Sequence, residues 1–517
     1  MSDGSTLQTL TGSDTEAPFG HGRDDGDRQG HPDGAPGSRA GLGLSDSAFL
    51  AAPVLAKTLA RQKTAFLRKG PPGLEQRRTK LRALKAAILR DQEAFIAALD
   101  ADFGHRARQE TRLFDLISVT MGIDKLVANL VRWLAPEKRD TALVFQPATN
   151  SVVFQPLGVV GVIAPWNYPV ALALMPLATA IAAGNRVMLK PSEVTPRTAE
   201  QLRATLASVF SEDEVAVVTG DASVGMAFTA LDFDHLVFTG STIVGKAVMT
   251  AAAKTLTPVT LELGGKSPVV VAPGAPMETA ARRIAWGKLA NAGQTCIAPD
   301  YVLVHSADLE AFEASFREAV DELYPDILAN PDYSSIVSDR HHGRLRGLIQ
   351  DAETRGARVV RFGVDGSHRA IHRRTLAPAL ILDATAEMAV MKEEIFGPVL
   401  PVLTYCAMDQ AIAEITSRPR PLALYYFGSD SDDRREVLAR TLSGGVSLND
   451  TILHYAQDDL PFGGVGPSGM GAYHSREGIR TLSHARPIFS QARINGSDII
   501  RPPYGKTFDQ AMSVLGR

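Results

Sequence analysis

The chain has 517 residues, 45% of them hydrophobic and 21% charged, which is length and apolar content for a globular protein of more than one domain. Its formal charge of −3 and pI near 6.5 exclude a long-range pull towards nucleic acid or an anionic membrane. Two cysteines, Cys296 and Cys406, argue against a disulfide framework and fit a reducing compartment, the cytoplasm. No run reaches the ~18–20 apolar residues of a membrane span. The chemistry-bearing region has no Cys-x-x-Cys or His-x-x-x-His spacing, so no metal site is expected.

Residues 1–48 are rich in Gly, Asp, Ser and Pro and carry too little apolar surface to order themselves, so a disordered tail is expected. They lack the basic stretch and apolar core of a secretory signal. From about 51 to 134 the pattern is helical, with Leu81, Leu84, Ile88, Leu89, Phe95, Ile96 and Leu99 at three- and four-residue steps. Arg77, Arg78, Lys80, Arg82 and Lys85 on the other side read as a solvated face. Across 141–154, Leu143-Val144-Phe145, a turn and Val152-Val153-Phe154 read as a β-hairpin whose edge needs a partner, which suggests subunit pairing.

The rhythm then becomes strand, helix, strand. Strands are expected at 159–164, 187–189, 215–219 and 235–239, and helices at 170–183, 201–210 and 245–253, the first of them ended by Gly184. That alternation argues for a parallel sheet covered on both faces, where ligands bind at strand ends. Four strand ends carry unusual company. Trp166 and Asn167 stand between Pro165 and Pro169, and a stiffly held amide suits a developing oxyanion, although a loop amide also satisfies its own turn. Lys190 and Glu193 follow the second strand and can form a loop ion pair. Gly240, Ser241 and Gly245 lack the middle glycine of the full dinucleotide fingerprint, but they lie between a strand and a helix whose first amides attract phosphate.

The fourth end is Glu262, in Leu261-Glu262-Leu263-Gly264-Gly265, where a strand stopping on two glycines lets backbone and ligand approach closely. Cys296 follows a helix-like segment holding Ile284, Trp286 and Leu289, and Pro299 takes the chain out of helix, so the thiol lies on a constrained turn. A thiolate attacks carbonyl carbon, and a nearby carboxylate can activate water for the second half of such a reaction. The competing reading of any cysteine is a small buried hydrophobe. A strand at 301–305 and a helix at 308–323 follow, then Glu393-Glu394-Ile395-Phe396-Gly397-Pro398. Cys406, beside the apolar run 399–405, reads as core. The glycines between 449 and 471 imply a tightly threaded backbone, and His454 there reads as packing or substrate wall, since Glu262 already fills the base position.

Taken together and in order, these motifs resemble the signatures of the aldehyde dehydrogenase superfamily over roughly residues 50–505. The wording from Asn449 to His474 looks most like its fatty- and aromatic-aldehyde branch, and within that the bacterial coniferyl-aldehyde dehydrogenase group. The resemblance implies an α/β fold with a Rossmann-like NAD-binding domain (49–139 and 156–264) and an α/β catalytic domain (265–448). It also implies a small β bridging element (140–155 and 484–500) that pairs subunits into a homodimer, a Gly-rich return segment (449–483) and a C-terminal tail (501–517). In that family Cys296 is the nucleophile, Glu262 the general base, and Asn167 with the Cys296 backbone N–H the oxyanion donors. Lys190 and Glu193 would contact the adenosine ribose, Gly240, Ser241 and Gly245 the pyrophosphate, and Glu394 the nicotinamide ribose. Phe396 packs near the nicotinamide, and Trp166 joins the cofactor contacts. A Glu193 carboxylate on ribose hydroxyls favours NAD, with NADP as the alternative because Lys190 offsets part of the added charge. The implied substrate is a coniferyl-like aromatic aldehyde. A medium- or long-chain fatty aldehyde, a CoA-acylating reaction, a Cys-His hydrolase and a non-catalytic protein on the same fold are the competing readings.

Overall fold

The computed structural model describes residues 46–363 and 372–515. Most of the tail expected over 1–48 lies outside the described residues, and a helix, Asp46–Lys69, already begins within its last positions. Helices Leu74–Arg90, Gln92–Phe103 and Ser118–Trp133 follow, and Leu81, Leu84, Ile88, Phe95 and Leu99 point into the core as their spacing predicts. Arg77 departs from the solvated face expected of it. It is buried and donates to the carbonyls of Pro72, Ala182 and Ala183, capping the end of a helix over a hundred residues away.

The first strands, β1 (Glu137–Arg139) and β2 (Thr149–Pro156), are antiparallel. This corrects the expected hairpin, because Leu143–Phe145 is a single 3₁₀ turn. Phe145 N donates to Ala142 O and Gln146 N to Leu143 O, the local bonding of a turn in place of a strand ladder. The small sheet therefore starts at 137, inside the stretch assigned to the first domain.

Strands β3 (Val159–Ile163), β4 (Arg186–Lys190), β5 (Val215–Val217), β6 (His235–Thr239) and β7 (Val259–Glu262) are parallel neighbours. β3, β4 and β6 are buried along nearly their whole length, as β-branched runs covered on both faces should be. The helix Ala171–Ala183 between β3 and β4 is buried on every side and ends at Gly184, whose φ of 98° only glycine adopts without cost. The second sheet holds β8 (Pro268–Val271), β9 (Tyr301–His305), β10 (Arg358–Arg361), β11 (Ala379–Leu382), β12 (Val399–Tyr405), β13 (Ala423–Phe427) and β14 (Gly445–Leu448). Its order is β10-β11-β12-β9-β8-β13-β14, parallel except for β10.

The chain then returns. β15 (Gly469–Met470) pairs antiparallel with β7 and completes a six-stranded sheet of order β15-β7-β6-β3-β4-β5. β16 (Ser483–Ser490) pairs with β2, making the small sheet three-stranded. In the six-stranded sheet the order runs outward from β3 in both directions, so β3 and β6 flank the point where the topology reverses. A crevice opens there at the strands' carboxyl ends. Both the Trp166-Asn167 loop and the Gly240-Ser241 turn leave the sheet at that point.

Candidate active site

Glu262 is the last residue of β7, held between β6 and β15 by pairing with Thr239 and Gly469. Its carbonyl accepts from Gly240 N at 3.0 Å, and Leu263 N donates to Ser468 O at 3.1 Å. The residue is 2% exposed, and neither carboxylate oxygen has a hydrogen-bond partner among the described residues. Burial pushes this acid well above the ordinary carboxylate range. The return segment passes directly over it: a Cβ on Gly463 would stand 3.4 Å from Glu262 Oε1 and 2.1 Å from Gly471 O.

Cys296 follows the helix Met277–Leu289 on a loop of buried residues. Asn291 and Ala292 both have φ 51°, in the left-handed region that L-residues seldom occupy. Gly293 continues at φ 74°, and a Cβ there would meet Gly397 O at 2.4 Å. Gln294 staples the turn. Its Nε2 donates to Asn291 O (2.9 Å) and Ser335 O (3.1 Å), and its Oε1 accepts from Val337 N (2.9 Å). Backbone N–H groups of Cys296 and Ile297 reach the sulfur, but burial together with the Glu394 and Glu262 carboxylates raises the thiol to about 12.

The two loops are joined. Asn167, almost fully buried, accepts at its backbone carbonyl from Arg106 Nη1 (2.7 Å) and Asn291 Nδ2 (3.0 Å), while Tyr168 Oη and Thr295 Oγ1 share a hydrogen bond of 2.7 Å. A cavity of about 180 Å³ opens on Cys296, with Phe114, Tyr168, Trp286 and Tyr455 on its walls. His454 is not among the residues lining that cavity; its Nδ1 is engaged with Ser447 Oγ, and burial lowers it to about 4.

The other expected residues lie along the strand ends. Lys190, buried at the end of β4, donates to Pro191 O (2.9 Å) and to Glu193 (3.3 Å), so the loop ion pair is present, with the Glu193 side chain 44% exposed. Gly240 leaves room for the Phe238 ring, which a Cβ would meet at 2.6 Å, and Gly245 seats the helix Thr242–Ala253 against Leu263 at the same distance. Ser241 caps that helix through Val244 N. Glu394 lies on the Gly264-Gly265 backbone: a Cβ on Gly264 would be 2.4 Å from its carboxylate, and the Gly265 N–H reaches it. Burial and the nearby Asp300 raise Glu394 to about 8. Phe396, at φ 52°, meets Trp166 edge to face with ring centroids 5.3 Å apart. A strand-end cradle lined by glycines, a capped helix N-terminus and the part-exposed carboxylate of Glu193, paired with Lys190, fits a dinucleotide.

Cys406 is corrected. It is exposed just past the end of β12, near Ser306 Oγ, because the strand's inward alternation stops at Tyr405. Sequence reasoning missed Arg106, Asp115 and Asn291. Asn291 stands five residues before Cys296, but only its left-handed φ marks it. Among the described residues no group of three or more His, Cys, Asp or Glu is placed to hold a metal.

The profile of the Aldehyde dehydrogenase family matches residues 56–488. The chain belongs to that family. A Pseudomonas aeruginosa protein named "Probable coniferyl aldehyde dehydrogenase" is 51% identical over 456 residues, covering 88% of this chain and 95% of that one. The substrate-bound structure of Staphylococcus aureus AldH shares 36% identity at TM-score 0.84, covering 89% of this chain and 99% of that chain. A Mycobacterium tuberculosis aldehyde dehydrogenase complexed with NAD+ superposes at TM-score 0.77 with 25% identity, covering 86% of this chain and 91% of that chain. In this aldehyde dehydrogenase the Asn167 loop and the Cys296 loop are joined by hydrogen bonds, and Glu262 is among the carboxylates that act on the Cys296 thiol.

Proposed function

We propose that this aldehyde dehydrogenase oxidises an aromatic, coniferyl-like aldehyde to its acid, with Cys296 as nucleophile and Glu262 as general base. The observation that carries this reading is a thiol lining an apolar cavity, with a nearby buried carboxylate, Glu262, that has no partner among the described residues. Attack by the Cys296 thiolate puts charge on the carbonyl oxygen, which the Asn167 amide and the Cys296 backbone N–H meet as preset donors. Covalent capture divides the oxidation into a thiohemiacetal and then a thioester, both on Cys296. Glu262, shielded from bulk water, then takes a proton from the water that hydrolyses the thioester. When bound, NAD(P) supplies the hydride acceptor. Lys190, Glu193, Gly240, Ser241 and Gly245 would hold its adenosine and pyrophosphate, and Glu394, Phe396 and Trp166 its nicotinamide half. Glu193 favours NAD, because its carboxylate would repel a 2′-phosphate.

The aromatic walls Phe114, Tyr168, Trp286 and Tyr455 support a flat, conjugated substrate, and the P. aeruginosa relative's name agrees. Leu113, Ile117, Met121 and Met175 further along the cavity favour a medium- or long-chain alkanal as the second reading. The small sheet exposes Ile488 and Phe489, and the turn before β2 exposes Phe145, which supports a homodimer assembled through this region. No described helix is long and apolar enough to cross a membrane, and with two free cysteines a cytoplasmic location is the proposed one.

The test is formation of NAD(P)H with coniferaldehyde, benzaldehyde and an alkanal, each with NAD and with NADP. Cys296→Ala is expected to lose at least about 10³-fold of the oxidation rate while still binding cofactor. Turnover by that variant would overturn the assignment, and preference for the alkanal would move the substrate to the fatty class.

A further inference from the structure

Behind the Asn167 loop lies a fully buried ion pair, with Arg106 and Asp115 side chains both at 0% exposure. One arm of the guanidinium, Nη2, donates to Asp115 Oδ2 at 2.8 Å, and the other, Nη1, to Asn167 O at 2.7 Å. The second carboxylate oxygen of Asp115 accepts from Val170 N and Ala171 N, both at 3.0 Å. A single pair therefore grips the loop at both ends, at the carbonyl of residue 167 and at the start of the helix Ala171–Ala183. The guanidinium itself is fixed between two rings, 4.7 Å from the Phe103 centroid and 5.1 Å from that of Tyr168.

Asn291 reaches the same carbonyl from the nucleophile loop. Its Nδ2 is shared between Asn167 O (3.0 Å) and Gln294 O (3.2 Å), and its backbone N–H is held by Glu110 Oε1 at 2.7 Å. The carbonyl of Asn167 is thus the point at which the oxyanion loop and the Cys296 loop are referred to one another. A charge-assisted donor on one side and an amide on the other leave that peptide plane one orientation.

Resting on the function proposed above, we infer that Arg106 and Asn291 are positioning residues. They hold the Asn167 peptide so that its side-chain amide faces the oxygen of an aldehyde bonded to Cys296. Neither touches the reacting atoms. Their effect on rate passes entirely through Asn167, and a misplacement of about 1 Å in such a donor costs about 100-fold.

The experiment is a double-mutant cycle on the full-length enzyme. Arg106→Lys keeps a cation for Asp115 and removes the two-armed grip. Asn291→Gly tolerates the left-handed backbone and removes only the side-chain donor. Each is expected to lower kcat by about 10- to 100-fold, with the aldehyde KM and NAD(P) Kd unchanged. Alkylation of Cys296 by iodoacetamide should keep its rate, since it displaces iodide from carbon and builds no oxyanion. In an Asn167→Ala background neither substitution should lower kcat further.

An undiminished kcat, a full additional loss in the Asn167→Ala background, or alkylation slowing in step with oxidation would each overturn the inference. Should Arg106→Lys fail to fold, as loss of a buried ion-pair contact can cause, Asn291→Gly completes the cycle alone. An unaltered enzyme that oxidises none of the aldehydes while binding NAD(P) would instead overturn the underlying reading of function.

Discussion

Glu262 and the outer face of the three-stranded sheet depart from the usual placement of side chains in opposite directions. Glu262 is an acid buried to 2% exposure with no partner for either oxygen among the described residues, while Phe489 on β16 is an aromatic ring 54% exposed. An unpaired buried carboxylate opposes folding strongly and remains tolerable mainly by staying protonated. An exposed ring opposes folding hardly at all, but a patch of them favours association. In the function proposed above, the first departure marks chemistry and the second a surface offered to a partner. The difference in cost explains why the first is a single residue held by two strands and a glycine-rich return, and the second a loose cluster.

The largest expected effect lies at the buried end of this contrast. Glu262→Gln should lower turnover by about 10²- to 10⁴-fold, since a general base contributes that much. It should also raise Tm. The folded acid has a higher pKa than the unfolded one, so its contribution to stability is full below the unfolded pKa and is lost as pH rises through the folded value. The gain in Tm should therefore grow with pH. In the unaltered enzyme, activity should rise with pH only above the ordinary carboxylate range, as this group ionises. A variant less stable than the parent at alkaline pH would show that the carboxylate has partners the structure does not contain.

Gly293→Ala tests the loop that carries the thiol. Its φ of 74° and the 2.4 Å approach to Gly397 O should cost about 1–3 kcal/mol in denaturant unfolding and disturb Cys296, lowering kcat. Phe489→Glu addresses the exposed end. It should shift the oligomer towards monomer in sedimentation at low concentration by about 1–2 kcal/mol, with turnover at high concentration retained. A monomeric parent would remove the contrast at that end. The smallest effect belongs to Cys406→Ser, expected to change stability by no more than about 0.5 kcal/mol and rate not at all.

Legibility followed the range of the interactions. The β3 run, the helix closed by Gly184, the Gly-Gly stop after Glu262 and the turn enforced near Cys296 were readable because each depends on neighbours a few residues away. Leu143-Val144-Phe145 was misread as a strand because its apolar run suits a strand equally well, and only local backbone bonding settles the turn. Cys406 was misread because strand alternation does not say where a strand ends. Arg77 looked like one of five basic residues on a helix face, and its burial rests on carbonyls 105 and 106 residues away.

The sequence by itself therefore determined the parallel α/β layering, the strand-end loops and the identities of Cys296, Glu262 and Asn167 as candidates. Periodicity, turn chemistry and motif order are all written in contiguous residues. Only the tertiary structure decided that Glu262 has no partner among the described residues, that Glu394 lies on the Gly264-Gly265 backbone, and that Asn167 is gripped by Arg106 and Asn291, 61 and 124 residues distant. Whether a polar group finds a partner depends on which distant segments the fold brings within about 3 Å, and no local pattern contains that distance.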